Sequence, residues 1–219
     1  MRDQFATVSV LDLDDTLYKE VDYRRSGLAA ARQFIEQWVP QEKITAIRSL
    51  DLEADRDPLA ALCREAGLPD SVKESLLWVY RLHIPNIRLS SEVASAIREL
   101  QQLGPVAILT DGRSVSQRLK LKALGLDHIP AYISEDYGEE KPAEGRYRRI
   151  MAQYPAARYC YVGDNPRKDF VTPNKLGWLT LCLRDNGRNI HAQEYQNADE
   201  GSRPAVWIDD FCDVLRHLG

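Results

Sequence analysis

The stretch Val8 to Tyr18, VSVLDLDDTLY, constrains this chain more than any other. It reads as one short buried strand running straight into carboxylates. Val8, Val10, Leu11 and Leu13 are apolar and mostly β-preferring, with Ser9 and Asp12 as polar interruptions. Asp12, Asp14 and Asp15 then place three carboxylates within four residues. Such crowding is repulsive, and a divalent cation is the simplest compensation. A plain strand-to-loop exit has the same composition, so the rest of the chain must decide.

The chain has 219 residues, enough for one sizeable core or a core with a smaller insertion. Its 29 Lys plus Arg against 33 Asp plus Glu give a net charge of −4, which argues against nucleic-acid binding as the main task. The basic residues are scattered. Arg24-Arg25 and Arg146 with Arg148-Arg149 form small clusters, each expected to be a solvated helix face. Cys63, Cys160, Cys182 and Cys212 are far apart and lack zinc-ligand spacing, and Cys160 and Cys182 lie in apolar runs as small core residues. No disulfide framework, signal-peptide plan or membrane-length apolar run is evident, so a cytoplasmic protein with no membrane partner is expected.

Helical periodicity follows the first strand. Leu28, Ala31, Ile35 and Trp38 recur at helical spacing, and Pro40 ends that run. Ile44, Ile47 and Leu50 suggest another turn or two. Asp57-Pro58 is a helix start and Gly67 its stop. Ser71 with Glu74 fits a capping box for a helix to about Leu82. The spacing therefore predicts a helical insertion over residues 20–86, with residues 1–19 and 87–219 forming the main domain. From Ser91 to Leu103 another helix precedes a strand over Val106 to Leu109, which ends in Thr110-Asp111-Gly112. Ser114 with Gln117 offers a second capping box for a helix running to Gly125. Ala131 to Ile133, Tyr159 to Val162, Leu179 to Leu183 and Ala205 to Ile208 read as further strands, and Glu140-Lys141-Pro142 as a helix start. Strands alternating with helices predict an α/β fold, a parallel sheet covered on both faces. Residues 185–203, rich in Asn, Gly and polar residues, are expected to be the least structured.

Chemistry collects at the strand ends. The first strand ends in Asp12-Leu13-Asp14, the second in Thr110, and the fourth in Asp164 with Asp169 five residues on. Lys141 lies between them. In open α/β sheets, ligands bind beyond the carboxyl ends of the strands where the strand order reverses. Carboxylates with a lysine and a hydroxyl suit a magnesium-bound phosphate, and no Gly-x-Gly-x-x-Gly is present. Each residue also has a structural reading: Thr110 as a strand-end cap, Lys141 as an exposed helix start, Asp164 and Asp169 as turn residues around Asn165-Pro166. His83, His128, His191 and His217 have no comparable context.

In this order, Asp12-Leu13-Asp14-Asp15-Thr16, Thr110, Lys141-Pro142 and Gly163-Asp164 with Asp169 resemble the four motifs of the haloacid dehalogenase-like hydrolase superfamily. The resemblance runs from Val8 to about Leu183. It implies a Rossmann-like core carrying an inserted helical cap of the first type. It also implies roles. Asp12 would be the nucleophile, forming an aspartyl phosphate. Asp14 would be the general acid and then the base. Mg²⁺ would be held by Asp12, Asp164 and the backbone carbonyl of Asp14. Thr110 and Lys141 would bind the phosphoryl group. Asp111 is not one of the family's fixed positions, but its backbone N–H is a further candidate phosphate contact. Asp169 would support the metal shell or orient Lys141, and Asp15 and Thr16 would fix the turn.

The same fold hosts several reactions. A carbon–halogen hydrolase needs a nucleophilic aspartate but no proton donor for an alkoxide and no magnesium, and family dehalogenases typically lack the second aspartate. Asp14 therefore favours a Mg²⁺-dependent phosphatase acting on a small phosphate monoester, a sugar phosphate or nucleoside monophosphate. A sugar phosphomutase uses the same groups, while a 2-haloacid dehalogenase and a non-catalytic binding protein are less favoured. Tyr18, Tyr23 and Arg24 are candidate contacts to the leaving group, and they could equally form a solvated hinge.

Overall fold

The computed structural model describes residues 5–191, 193 and 200–218. Among these, six strands form one parallel sheet in the order β3-β2-β1-β4-β5-β6. The strands are β1 (Phe5–Leu11), β2 (Val106–Thr110), β3 (Ala131–Ile133), β4 (Ala156–Gly163), β5 (Leu179–Leu183) and β6 (Val206–Ile208). The helices are α1 (Glu20–Glu36), α2 (Gln41–Ser49), α3 (Pro58–Ala66), α4 (Val72–Leu82), α5 (Ser91–Leu103), α6 (Ser114–Ala123), α7 (Ser134–Tyr137), α8 (Gly145–Gln153), α9 (Val171–Lys175) and α10 (Val214–Leu218). This is the expected Rossmann-like α/β architecture.

β1 lies at the centre, pairing Val10 with Ala107 of β2 and with Tyr161 of β4. Its residues alternate between two covered faces, as a central parallel strand requires. Val8 and Val10 join Ala107, Leu109 and Tyr161 on one face, packed beneath Tyr147 and Ile150 of α8. Leu11 joins Ile108, Val162 and Leu181 on the other, beneath Ile97 and Leu100 of α5. The chain runs outward from β1 through β2 to β3, then returns past β1 to β4. The strand order thus reverses between β1 and β4, the switch point at whose carboxyl ends open α/β sheets form their binding crevice.

Helices α1 to α4 bury an apolar cluster of their own, including Leu28, Ala31, Ile35, Ile47, Leu62 and Leu76. α3 starts as its sequence dictates. The Asp57 side chain accepts the Ala60 N–H at 3.2 Å, Pro58 follows, and Gly67 closes the helix at φ 69°. No helix among the described residues is long and apolar enough to cross a membrane.

Several local expectations differ from the structure. α1 begins at Glu20, not near Leu28, because the Asp15 carboxylate accepts the Glu20 N–H at 2.9 Å. Trp38 lies beyond α1 and is exposed, so it is not part of the apolar face. Neither expected capping box forms: Ser71 has helical backbone angles and no side-chain bond, and Arg113 rather than Ser114 occupies the cap of α6. Lys141-Pro142 precedes α8 instead of opening it, on a turn whose Lys141–Pro142 peptide is cis. Arg146 is fully buried, so it is not a member of a solvated face. Of the stretch expected to be least structured, residue 192 and residues 194–199 lie outside the described residues.

Candidate active site

β1 delivers Asp12 to the crevice, where its N–H donates to the Val162 carbonyl of β4 at 2.8 Å. Lys141 Nζ donates to Asp12 Oδ1 at 2.7 Å, to Asp169 Oδ1 at 2.7 Å and to the Tyr161 hydroxyl at 3.0 Å. Asp169 Oδ2 accepts the N–H groups of Asp164 at 3.2 Å and Asn165 at 2.8 Å, which shapes the turn after β4. Gly163 is required there, because a Cβ would stand 2.5 Å from that carboxylate. All of these side chains are buried.

Asp12, Asp164 and Asp169 each offer a carboxylate oxygen within 4.8 Å of the others. Burial, opposed by Lys141 and reinforced by Asp169, pushes the Asp12 carboxyl up to about 7. Burial, together with the charges of Asp169 and Asp12, pushes Asp164 up to about 9. Burial works against the Lys141 ammonium, but Asp12 and Asp169 outweigh it and hold its pKa well above the ordinary lysine value. One ammonium for three desolvated carboxylates leaves negative charge in excess. Such a set of hard oxygen donors fits a small divalent cation. Asp169 is already bonded to Lys141 and to two backbone N–H groups, so Asp12 and Asp164 have the freer oxygens.

Asp14 faces a different set of partners. Lys120 Nζ donates to Asp14 Oδ1 at 2.7 Å, Gln117 Nε2 donates to Oδ2 at 2.8 Å, and the Tyr18 hydroxyl also donates to Oδ1. Burial alone would raise the Asp14 carboxyl, but Lys120 and these bonds outweigh it and keep it below the usual range. Lys120 is itself buried beneath the Tyr23 ring, 4.2 Å from its centroid. Gln117 also donates to Thr110 Oγ1 at 2.8 Å and to the Asp111 carbonyl at 2.7 Å. It therefore joins the end of β2 to Asp14.

The end of β2 is held from behind by Arg146, which donates to the carbonyls of Thr110 at 2.9 Å and Tyr132 at 3.2 Å and to Asp111 Oδ1 at 2.7 Å. The Asp111 carboxylate in turn accepts the Lys141 N–H at 3.2 Å. Asp15 adopts φ 57° and accepts the N–H groups of Glu20 and Ile190, both at 2.9 Å.

The structure thus brings Asp12, Lys141, Asp164 and Asp169 into one cluster, and Thr110 beside Asp14 through Gln117. Tyr18 and Tyr23 reach the site through Asp14 and Lys120, whereas Arg24 bonds no described residue. Gln117, Lys120, Arg146 and Asn189 are site residues that the sequence reading missed. Asn189 donates to Asp164 Oδ2 at 2.9 Å and accepts from Lys19 at 2.7 Å. The available signal for Gln117 and Lys120 was their spacing, i and i+3 on a helix directly after the second strand.

Fold and site together define an α/β protein with buried carboxylates gathered at the switch point of a parallel sheet. The chain belongs to the haloacid dehalogenase-like hydrolases: the model of that family matches residues 7–172. A relative from Halopiger xanaduensis, named ribulose-1,5-bisphosphate 5-phosphatase, is 25% identical over 97% of this chain and 98% of its own. A 2-haloacid dehalogenase from Pseudomonas syringae pv. Tomato has the same fold, with a TM-score of 0.66 and 20% identity over 98% of each chain. So has a HAD-hydrolase from Bacillus subtilis solved with bound magnesium, with a TM-score of 0.63 and 19% identity over 99% of this chain and 100% of that one.

Proposed function

We propose that this protein is a Mg²⁺-dependent phosphatase that hydrolyses a small phosphate monoester, a sugar phosphate or nucleoside monophosphate, through an aspartyl phosphate on Asp12. The observation that carries this reading is the separation of two aspartates only two residues apart. Asp12 sits with Lys141 and the acidic cluster, while Asp14 is held by Lys120, Gln117 and Tyr18. The different partners support a different role for each: in this reading one carboxylate attacks and the other moves protons. A carbon–halogen hydrolase has no use for the second. The phosphatase named among the relatives supports phosphate chemistry, and the dehalogenase shares only the fold.

In this reading Asp12 attacks phosphorus and the bond to the leaving oxygen breaks. Asp14 delivers a proton to that oxygen, then takes one from the water that cleaves the aspartyl phosphate. Both Asp14 oxygens accept hydrogen bonds here and the carboxyl is held below its usual range. It must therefore take a proton from solvent, as one contact is exchanged for the leaving group, before delivering it. Thr110 and Lys141 hold the equatorial oxygens, with the Asp111 N–H beside them. Asp12, Asp164 and the Asp14 carbonyl would hold Mg²⁺, with Asp169 steadying Lys141. When bound, the ion offsets the charge that crowds this end of the sheet. Helices α1 to α4, within residues 20–86, serve as the cap.

The test is hydrolysis of p-nitrophenyl phosphate and a panel of sugar phosphates and nucleoside monophosphates. Turnover is expected to require Mg²⁺, to stop with EDTA, and to fall by about a thousandfold or more in Asp12→Asn. Full activity in Asp12→Asn, or none in the wild type across the panel, would count against the proposal.

A further inference from the structure

α1 turns one face toward the catalytic crevice. Glu20, Tyr23, Arg24 and Gly27 fall at i, i+3, i+4 and i+7, along one stripe of the helix. Two of them show where that stripe points. The Tyr23 ring covers Lys120, which bonds Asp14. Gly27 lies against the Tyr80 ring, where a Cβ would come within 2.5 Å. Tyr23 and Tyr80 also meet edge-on, with centroids 5.7 Å apart.

Glu20 and Arg24 flank these contacts, both half-buried and of opposite charge. Neither side chain makes a hydrogen bond or ion pair with any described residue. They do not pair with each other, although Glu followed by a basic residue at i+4 is the favoured helical arrangement. The next charges around the helix are satisfied: Arg25 bonds Glu53 at 2.8 Å, and Arg188 bonds Asp22 at 2.8 Å. The unsatisfied pair is the one on the face toward the crevice.

A structural role does not account for Glu20. The start of α1 is already held by Asp15, which accepts the Glu20 backbone N–H. The Glu20 carboxylate instead adds a negative charge near Asp14, Asp15 and Asp12, and burial followed by the Asp14 charge, only partly offset by Lys120, pushes it up to about 7. Keeping a half-buried carboxylate there without a hydrogen bond from any described residue costs stability, which a ligand contact would recover.

We infer that Glu20 and Arg24 form the subsite for the leaving group, and that the substrate is a polyhydroxylated phosphate ester carrying a second anionic group. This rests on the phosphatase reading. Glu20, the nearer of the two to Asp14, accepts hydrogen bonds from hydroxyls next to the scissile oxygen. Arg24, about 6 Å further along the helix axis, pairs with a distal phosphate or carboxylate. Tyr23 forms the wall between them.

The test compares kcat/KM for a sugar bisphosphate, the matching sugar monophosphate, a phosphorylated sugar acid and p-nitrophenyl phosphate. The doubly anionic esters are expected to exceed the monophosphate by on the order of tenfold in the wild type. Arg24→Met is expected to bring that ratio close to one, and Arg24→Lys to restore part of it. Glu20→Gln is expected to lower kcat/KM for the sugar esters relative to p-nitrophenyl phosphate, which has no hydroxyl to offer. Selectivity for the bisphosphate alone assigns the distal group as phosphate; equal gains with the sugar acid assign a general anion site. Equal kcat/KM for monophosphate and doubly anionic esters in the wild type, or a ratio unmoved in Arg24→Met, overturns the subsite while hydrolysis of p-nitrophenyl phosphate upholds the phosphatase reading. Loss of all hydrolysis in the wild type overturns both.

Discussion

Arg146 ties the end of β2 to its neighbours from behind. Its guanidinium is fully buried and bonds two carbonyls and the Asp111 carboxylate. Arg146→Met would leave Asp111 without its closest cation and two carbonyls without their donor. Removing one partner of a buried pair typically costs about 3–5 kcal/mol, and urea denaturation of the variant should show a loss of that order. Asp111→Asn, which keeps the shape and one acceptor, should cost less. This role could not be read from the residue's position. Arg146, Arg148 and Arg149 share one short basic run, and nothing in RYRR marks which of the three turns inward. The aspartates were legible for the opposite reason. Asp12 and Asp164 each follow directly on an apolar strand, so their placement at the crevice follows from the sheet itself.

Among the elements, α6 departs furthest from its sequence signature. Ser114 and Gln117 have the spacing of a capping box, yet Gln117 bonds Asp14 and Thr110 rather than its own helix start. A glutamine satisfies either arrangement, and only the folded crevice offers the stronger partners. Lys120, one turn further on, holds Asp14 below the usual carboxylate range against the opposing effect of burial. Lys120→Met removes that cation, so the Asp14 pKa rises. If Asp14 protonates the leaving oxygen, the alkaline limb of the kcat profile for an alkyl phosphate should move to higher pH in Lys120→Met. An unmoved limb would show that Asp14 is not the acid. The early start of α1 was hidden by related physics. Its apolar period is legible from Leu28 onward, where the helix packs on the cluster shared with α3 and α4. Its first two turns face a crevice and carry Glu20, Asp22 and Arg24, which no hydrophobic repeat can report.

For the whole molecule, the acidic cluster is expected to make stability depend on pH and, under the proposed function, on Mg²⁺. Asp12 and Asp164 ordinarily titrate near 3.8, but in the metal-free fold they do so at about 7 and about 9. Their folded pKa values are raised, so their contribution to stability is complete below the unfolded value and is lost as pH rises through the folded ones. The metal-free protein should therefore melt at a lower temperature near pH ~8.5 than near pH ~6. Added Mg²⁺ should raise Tm more at the higher pH, where Asp12 is ionised and protons compete less for Asp164. A pH-independent Tm, or an equal Mg²⁺ shift at both values, would contradict this account of the cluster. The sheet order has one more consequence, for the growing chain. β1 emerges first but takes its two neighbours from β2 and β4, roughly a hundred and a hundred and fifty residues later. In the meantime α1 to α4 can bury their own apolar cluster, since none of its residues comes from the sheet. The ribosome thus releases a strand that must wait, followed by a helical unit that need not. Until β4 arrives with Asp164 and Asp169 behind it, the nascent chain holds Asp12 without the two carboxylates that gather around it in the fold.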